Sequence, residues 1–219
     1  GGMRVALIDR GAICREASGT NAGTLTMQMT RVALIPYALK GHEMWATAGD
    51  WLGHDVGTVV CDGLSLAFTE READLLSFRA GKRREAGAPI EIVTPERARE
   101  IEPGLSTHPI LAAHCPVDGY TSAYLTGLAY RRALVEAGVE ILEHAPVEGI
   151  EREDGAHVAR LADGRRIAGT RLALCGGVWL EPMLAWLGVT LPVGVLVNQL
   201  AVTERMPPVM RTVIGIASG

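Results

Sequence analysis

Three short stretches hold the residues whose types and spacing could do chemistry. The first is an acid that closes an apolar run, Val5-Ala6-Leu7-Ile8-Asp9. In dinucleotide-binding folds, a carboxylate at the end of the second strand accepts hydrogen bonds from ribose hydroxyls. Standing alone, such an acid reads first as a solvated strand end. The second stretch is Ala17-Ser18-Gly19-Thr20-Asn21-Ala22-Gly23. Its small residues leave backbone donors free to lie against a pyrophosphate or a flat ring. By composition it is also an ordinary surface loop of turn-forming residues. The third is Cys175-Gly176-Gly177-Val178-Trp179, where two glycines end an apolar run and let backbone approach a ligand at the carboxyl edge of a sheet. A plain strand-to-helix turn with Trp179 in the core accounts for it equally well. Val147, within Pro146-Val147-Glu148-Gly149-Ile150, offers a backbone amide and carbonyl that suit an adenine edge or, more simply, a meander strand.

The elements around these stretches follow from pattern. Residues 3–9 read as a strand buried on both faces, as in a parallel sheet. Residues 11–24 read as a loop and residues 31–52 as largely helical, with Pro36 near the start. Val59-Val60-Cys61 and Leu64–Phe68 flank Asp62-Gly63 and predict a hairpin. A charged helix over 70–86, a strand over 90–93 and a short helix capped by Thr94 follow, and Pro103-Gly104 ends that helix. A helix over 122–137 carries Ala123, Gly127, Tyr130, Leu134 and Ala137 on one stripe and stops at Gly138. A strand at 139–142, a meander over 146–167 with a turn at Asp163-Gly164, a buried strand over 171–177, a helix over 179–187 and a strand pair over 189–203 complete the reading.

The chain has 219 residues, of which 48% are hydrophobic and 21% charged, enough apolar material for a real core. Its formal charge of -4 leaves no basic footprint for nucleic acid. The four cysteines form no CxxC pair and read as reduced thiols. The six histidines have no metal-like spacing and read as surface or loop residues, so no metal site is expected. No signal peptide is visible, and the apolar runs fall short of the about 18 residues a membrane span needs.

In their order along the chain, these pieces resemble the D-amino-acid oxidase-like superfamily of FAD-dependent oxidoreductases, in the branch of glycine oxidase, sarcosine oxidase and related amino-acid dehydrogenases. Val5–Gly11 looks like the second strand with its ribose acid, and Ala17–Gly23 is similar to the flavin-contacting loop. Asp118-Gly119 sits where the chain re-enters the flavin domain. Gly138–Ile141 with Val147 and Ile150 resembles the adenine-side strands, and Cys175–Trp179 the segment that closes over the ADP half. Pro192, Gln199 and Val202-Thr203-Glu204 resemble the next substrate-domain strands. The glycine-rich fingerprint that precedes the second strand in that superfamily is not in this sequence, nor is the superfamily's C-terminal part, so the chain is expected to be truncated at both ends.

The resemblance implies an α/β fold: an incomplete Rossmann-like FAD-binding domain over 1–54 and 115–189, with an α+β mixed-sheet substrate domain over 55–114 and 190–219. It implies FAD held by Asp9, Arg10, Ser18, Asn21, Ala22, Gly23, Val147, Cys175, Gly176, Gly177 and Trp179. No histidine lies between Gly1 and Lys40, so the flavin is expected to be non-covalent. The expected reaction is hydride transfer to flavin from a small amine or amino acid, with oxygen or a membrane or protein acceptor taking the electrons. The expected location is the cytoplasm, free or at the inner face of a membrane. Oxidation of a hydroxy acid or glycerol phosphate is the alternative, as is an inactive fragment or subunit. The fragment alone is expected to be inactive. No catalytic residue is assigned: Arg31, Arg79 and Arg211 are open as substrate-carboxylate clamps. Met27 and Gln28 are open as ring-lining residues, with core packing the alternative for Met27.

Overall fold

The computed structural model describes residues 2–204 and 206–217. The Met3–Asp9 run forms a short strand, β1 (Ala6–Ile8), and the small-residue loop ends in β2 (Thr24–Leu25). Then come α1 (Ile35–Ala46), with Pro36 in its first turn, α2 (Ala48–Leu52), β3 (Val59–Val60) and β4 (Gly63–Ala67). The charged segment forms α3 (Glu70–Glu85). It opens on a reciprocal cap: the Glu72 N–H donates to the Thr69 hydroxyl at 3.2 Å, and the Thr69 N–H donates to the Glu72 carboxylate at 3.1 Å. β5 (Glu91–Val93) leads into α4 (Pro95–Ile101), capped by Thr94. β6 (Leu111–Cys115) and β7 (Gly119–Tyr120) precede α5 (Ala123–Glu136). Gly138 ends α5 at φ +73°, and the Val139 N–H reaches back to the Leu134 carbonyl. β8 (Glu140–Leu142), β9 (Val147–Glu153), β10 (Ala156–Leu161), β11 (Arg166–Gly169), α6 (Leu180–Ala185) and β12 (Val213–Ile216) complete the order.

Two compact units result, Gly1–Gly19 with Arg131–Ala201 and Thr20–Tyr130 with Val202–Gly219. In the first, β1 and β8 pair in parallel, and β9, β10 and β11 form the expected antiparallel meander. In the second, a mixed four-stranded sheet runs β12-β4-β6-β5, and a three-stranded sheet runs β2-β7-β3. Alternation across the four-stranded sheet makes two cores. Ala67, Ala113 and Cys115 pack with Met27, Ile35 and Leu76, while Leu64, Leu66 and Ala112 pack with Ala98 of α4. These units do not follow the domain bounds read from the sequence. Residues 20–54 and 115–130 pack with the four-stranded sheet because β2 pairs with β7 and because Met27 and Ile35 enter its core.

Several expected elements differ. The 57–69 hairpin does not form: β3 pairs with β7, and β4 with β6 and β12. The chain changes sheets at Asp62-Gly63 instead of turning back. β1 is half-exposed, not buried on both faces, because β8 is its only strand partner among the described residues. Residues 171–177 lie mostly exposed and form no strand, and the 189–203 strand pair is absent, with Leu196 at 81% exposure. Neither segment finds a ladder partner, and an unpaired strand leaves its N–H and C=O groups to water. β6, β7 and β12 go unread in the sequence. His114 on β6 is buried, not a surface or loop residue: its ring nitrogens lie 2.6 Å from Asp62 Oδ1 and 3.1 Å from Glu91 Oε1.

Glu102, after α4, ties the 211–212 segment to this sheet. At 2% exposure its carboxylate accepts from the N–H groups of Gly104, Arg211 and Thr212 and from the Thr212 hydroxyl. Burial pushes its carboxyl up, but those donors outweigh it and hold it below its ordinary value. The resulting stability is present above the ordinary carboxylate range and is lost as pH falls through the lowered folded value. Glu102→Gln sets an amide N–H₂ against backbone donors. It is expected to cost about 1–3 kcal/mol at neutral pH by urea unfolding and to flatten the acid limb of the stability curve. An unchanged midpoint would mean that other contacts hold residues 211–212.

Candidate cofactor site

In the first unit the site begins where β1 ends. The Asp9 N–H donates to the Leu142 carbonyl and the Asp9 carbonyl accepts from Ala145, which continues the β1–β8 pairing one residue further. Asp9 Oδ1 accepts from the Gly11 N–H at 2.8 Å, and Oδ2 has no partner among the described residues. The carboxylate is therefore held in place by one oxygen while the other stays open. Burial, and then the Asp9 charge, pushes the Cys14 thiol up, so the thiol stays protonated beside the acid.

Arg10 follows, with its guanidinium carbon 3.7 Å from the centroid of the Trp179 ring. The geometry is a cation–π stack, and Arg10 also pairs with Glu16 at 3.4 Å. Arg10 and Trp179 are thus brought together across most of the length of the sequence. Val147 opens β9, two residues past the Ala145 N–H that bonds Asp9. Cys175 and Gly177 are exposed, and Gly176 lies half-buried against Met183, on an irregular segment leading to α6. Ser18 is exposed in the loop after β1.

The second unit carries Asn21, Ala22 and Gly23. Asn21 Oδ1 accepts from the Gly23 N–H at 2.8 Å, so this side chain shapes the loop from within. Gly23 takes φ +69°, and a Cβ there would overlap the Thr121 carbonyl oxygen. The loop continues along the edge of β7, with Thr24 against Tyr120 and Leu25 against Gly119. Where the backbone pairing ends, the Asp118 carboxylate takes over. It accepts from the Thr26 hydroxyl at 2.6 Å, the Met27 N–H at 2.8 Å and the Gln28 amide at 3.4 Å. Burial first, then the charge and hydrogen bond of Asp118, push the Cys115 thiol to about 12.

Met27 packs in the core with Ile35 and Ala113. Gln28 is buried, and its Oε1 has no protein partner among the described residues. Each unit by itself has a feature that fits a dinucleotide: in the first, an acid with a free oxygen at a parallel strand end; in the second, a buried acceptor just past the loop that a ligand N–H would satisfy. A cleft of about 200 Å³ opens between Thr24–Met27 and the α1 face carrying Ala38, His42 and Trp45. Of the open arginines, Arg79 spends its guanidinium on the Ala217 carbonyl at 2.9 Å, and Arg211 gives its backbone N–H to Glu102. The roles of Asp118 and Glu102 escape a sequence reading, since a buried acid and a solvated one are the same letter. Asp118-Gly119 and Pro103-Gly104 are the signals that stood beside them, and neither points to a buried acid.

An α/β protein with an acid closing a parallel strand and a small-residue loop after it is of the dinucleotide-binding class. The family described as FAD dependent oxidoreductase (DAO) matches residues 1–216, and the chain belongs to that family. It is 28% identical to a glycine oxidase of Geobacillus kaustophilus over 224 residues, 99% of this chain and 59% of that protein. A crystal structure of the Geobacillus glycine oxidase superposes with a TM-score of 0.84 at 27% identity, over 99% of this chain and 60% of the other. A 4-methylaminobutanoate oxidase (formaldehyde-forming) of Paenarthrobacter nicotinovorans is 26% identical over 80% of this chain and 22% of its own length. The chain thus spans about three fifths of the glycine oxidase and less of the other. Among the described residues, no helix is long and apolar enough to cross a membrane.

Two outcomes check this geometry. Removing Arg10 and Trp179 singly and together to Ala should give a coupling of about 0.5–1 kcal/mol in a double-mutant cycle read by urea unfolding. Additive effects would mean that the stack is not formed in solution. Gly23→Ala should destabilise by more than about 1–2 kcal/mol, because left-handed backbone strain adds to the overlap with Thr121. A melting temperature equal to wild type would show that the loop has another conformation.

Proposed function

We propose that this chain serves the FAD-dependent oxidation of a small amine or amino acid, with the flavin held non-covalently. The observation that carries the reading is Asp9, clamped through Oδ1 by Gly11 and open at Oδ2. A carboxylate so placed suits a pair of ribose hydroxyls. Bound flavin would supply the redox chemistry, taking hydride from the carbon bearing nitrogen and leaving an imine that water hydrolyses. The chain's own residues do the holding. Asp9 accepts from the ribose, and Arg10, stacked on Trp179, presents a cation to the pyrophosphate. The Val147 backbone meets the adenine edge, and the backbones of Cys175, Gly176 and Gly177 lie along the ADP half. Ser18, Asn21, Ala22 and Gly23 form the loop against the ring.

In this reading, residues 1–54 and 115–189 serve the flavin, and residues 55–114 and 190–219 the substrate, a division by role and not by packing. The absence of histidine from Gly1 to Lys40 supports a non-covalent link. Two similar proteins named as a glycine oxidase and a 4-methylaminobutanoate oxidase favour an amine over a hydroxy acid. Oxygen or a protein or membrane acceptor would take the electrons.

The test is the visible spectrum of the purified chain after FAD is added and the excess removed. A retained flavin band is expected, and acid precipitation should release all of it. The same test on a chain extended at both ends separates the substrates: anaerobic glycine or N-methylglycine should bleach the band, and glycerol phosphate should not; the reverse pattern would overturn the amine reading. Asp9→Asn keeps the shape and removes the charge. It should weaken FAD binding roughly 10- to 150-fold, the loss of one or two charge-assisted hydrogen bonds. Equal affinity would remove Asp9 from the site.

A further inference from the structure

The segment from Gly23 to Gln28, which ends the loop, touches one strip of chain along its whole length. The Thr121 N–H donates to the Gly23 carbonyl, Tyr120 pairs with Thr24, and Gly119 pairs with Leu25. The next rung is made by a side chain: the Asp118 carboxylate binds Thr26, Met27 and Gln28 in succession. We infer that Asp118 is the positioning residue for the flavin-contact loop, acting through the loop's backbone and through Gln28 without touching the ligand itself. This rests on the reading of the loop given above.

The carboxylate is itself fixed from behind. Asp118 is 1% exposed, its carbonyl accepts from the Cys61 N–H at 2.9 Å, and a Cβ at Gly63 would overlap its carboxyl group. Only a residue without a side chain leaves it room. The Thr26 hydroxyl donates to Asp118 and accepts from the Gln28 N–H at 3.1 Å, so the hold on residue 26 passes on to residue 28. The orientation of Gln28 follows. An ionised carboxylate only accepts, so the Gln28 amide nitrogen must face Asp118 and the oxygen must face away. That oxygen is buried and has no protein partner among the described residues. Asp118 therefore decides both where the loop stands and that its far end presents an acceptor, the match for an N–H of a ring or an amine.

The experiment compares Asp118→Asn, Thr26→Val and Thr26→Ser in the 219-residue chain. Asn keeps the shape but turns one oxygen into a donor that faces donors. Amide hydrogen exchange on the flavin-free chain should show Met27 losing at least about tenfold protection in Asp118→Asn while Ala113 on β6 keeps its own, a loss worth about 1.4 kcal/mol locally. With FAD, Asp118→Asn and Thr26→Val should bind at least about tenfold more weakly and shift the flavin band, and Thr26→Ser should restore both. Glu102→Gln is the stability control: it should lower the melting temperature and leave the band in place. If Asp118→Asn melts earlier with the band and affinity unchanged, or if Met27 stays protected, Asp118 is structural only and the inference is overturned. Should Asp118→Asn fail to fold, Thr26→Val carries both readouts. A wild-type chain that retains no flavin would count against the proposed function, while exchange at Met27 would still decide the role of Asp118.

Discussion

A buried carboxylate has to be met by donors, and in this chain that requirement organises the second unit. Asp118, at 1% exposure, lies just before β7 of the three-stranded β2-β7-β3 sheet and against Gly63 at the start of β4 in the four-stranded one. An unmet carboxylate at that depth would cost several kcal/mol. Three successive residues of the loop supply the donors. The demand runs both ways: the loop needs the carboxylate to continue its pairing past Leu25, and the carboxylate needs the loop. Gly63 closes the arrangement, since a Cβ there would overlap the Asp118 carboxyl group.

Glu102 repeats the device at the opposite core of the same unit. There a carboxylate gathers the N–H groups of residues 211 and 212 and so sets β12 beside β4. Two acids, 90–92 and 109–110 positions from the residues they hold, do what no hydrophobic pattern specifies. His114, between Asp62 and Glu91, links β6 to its neighbours on the same principle. Apolar contact gives these sheets their cores; polar contacts buried at their edges select which segments may join them.

The first unit is arranged differently. Its site residues lie at the open end of a two-stranded parallel pair, on loops where groups remain exposed. Asp9 is tied by one oxygen and Arg10 rests on Trp179, so both are oriented without being used up. That is the condition for binding a ligand: side chains held in place by few bonds, with at least one polar atom left over.

Much of the fold was legible in the chain. α3 and α4 are fixed by local caps at Thr69 and Thr94, α5 by its stripe and Gly138, and the meander by alternation around Asp163-Gly164, because each signal acts within a few residues. The order of Asp9, the small-residue loop and the later segments along the chain carried the family. The pairing of β3 with β7, the absence of strands at 171–177 and 189–203, and the burial of His114 were not. A strand exists only if a partner lies beside it, and partners here come from 50 or more positions away. The duties of Asp118, Glu102 and Gln28 were settled in the same way: sequence supplied the polar atoms, and only tertiary contact decided which were buried, which were satisfied, and which one was left open.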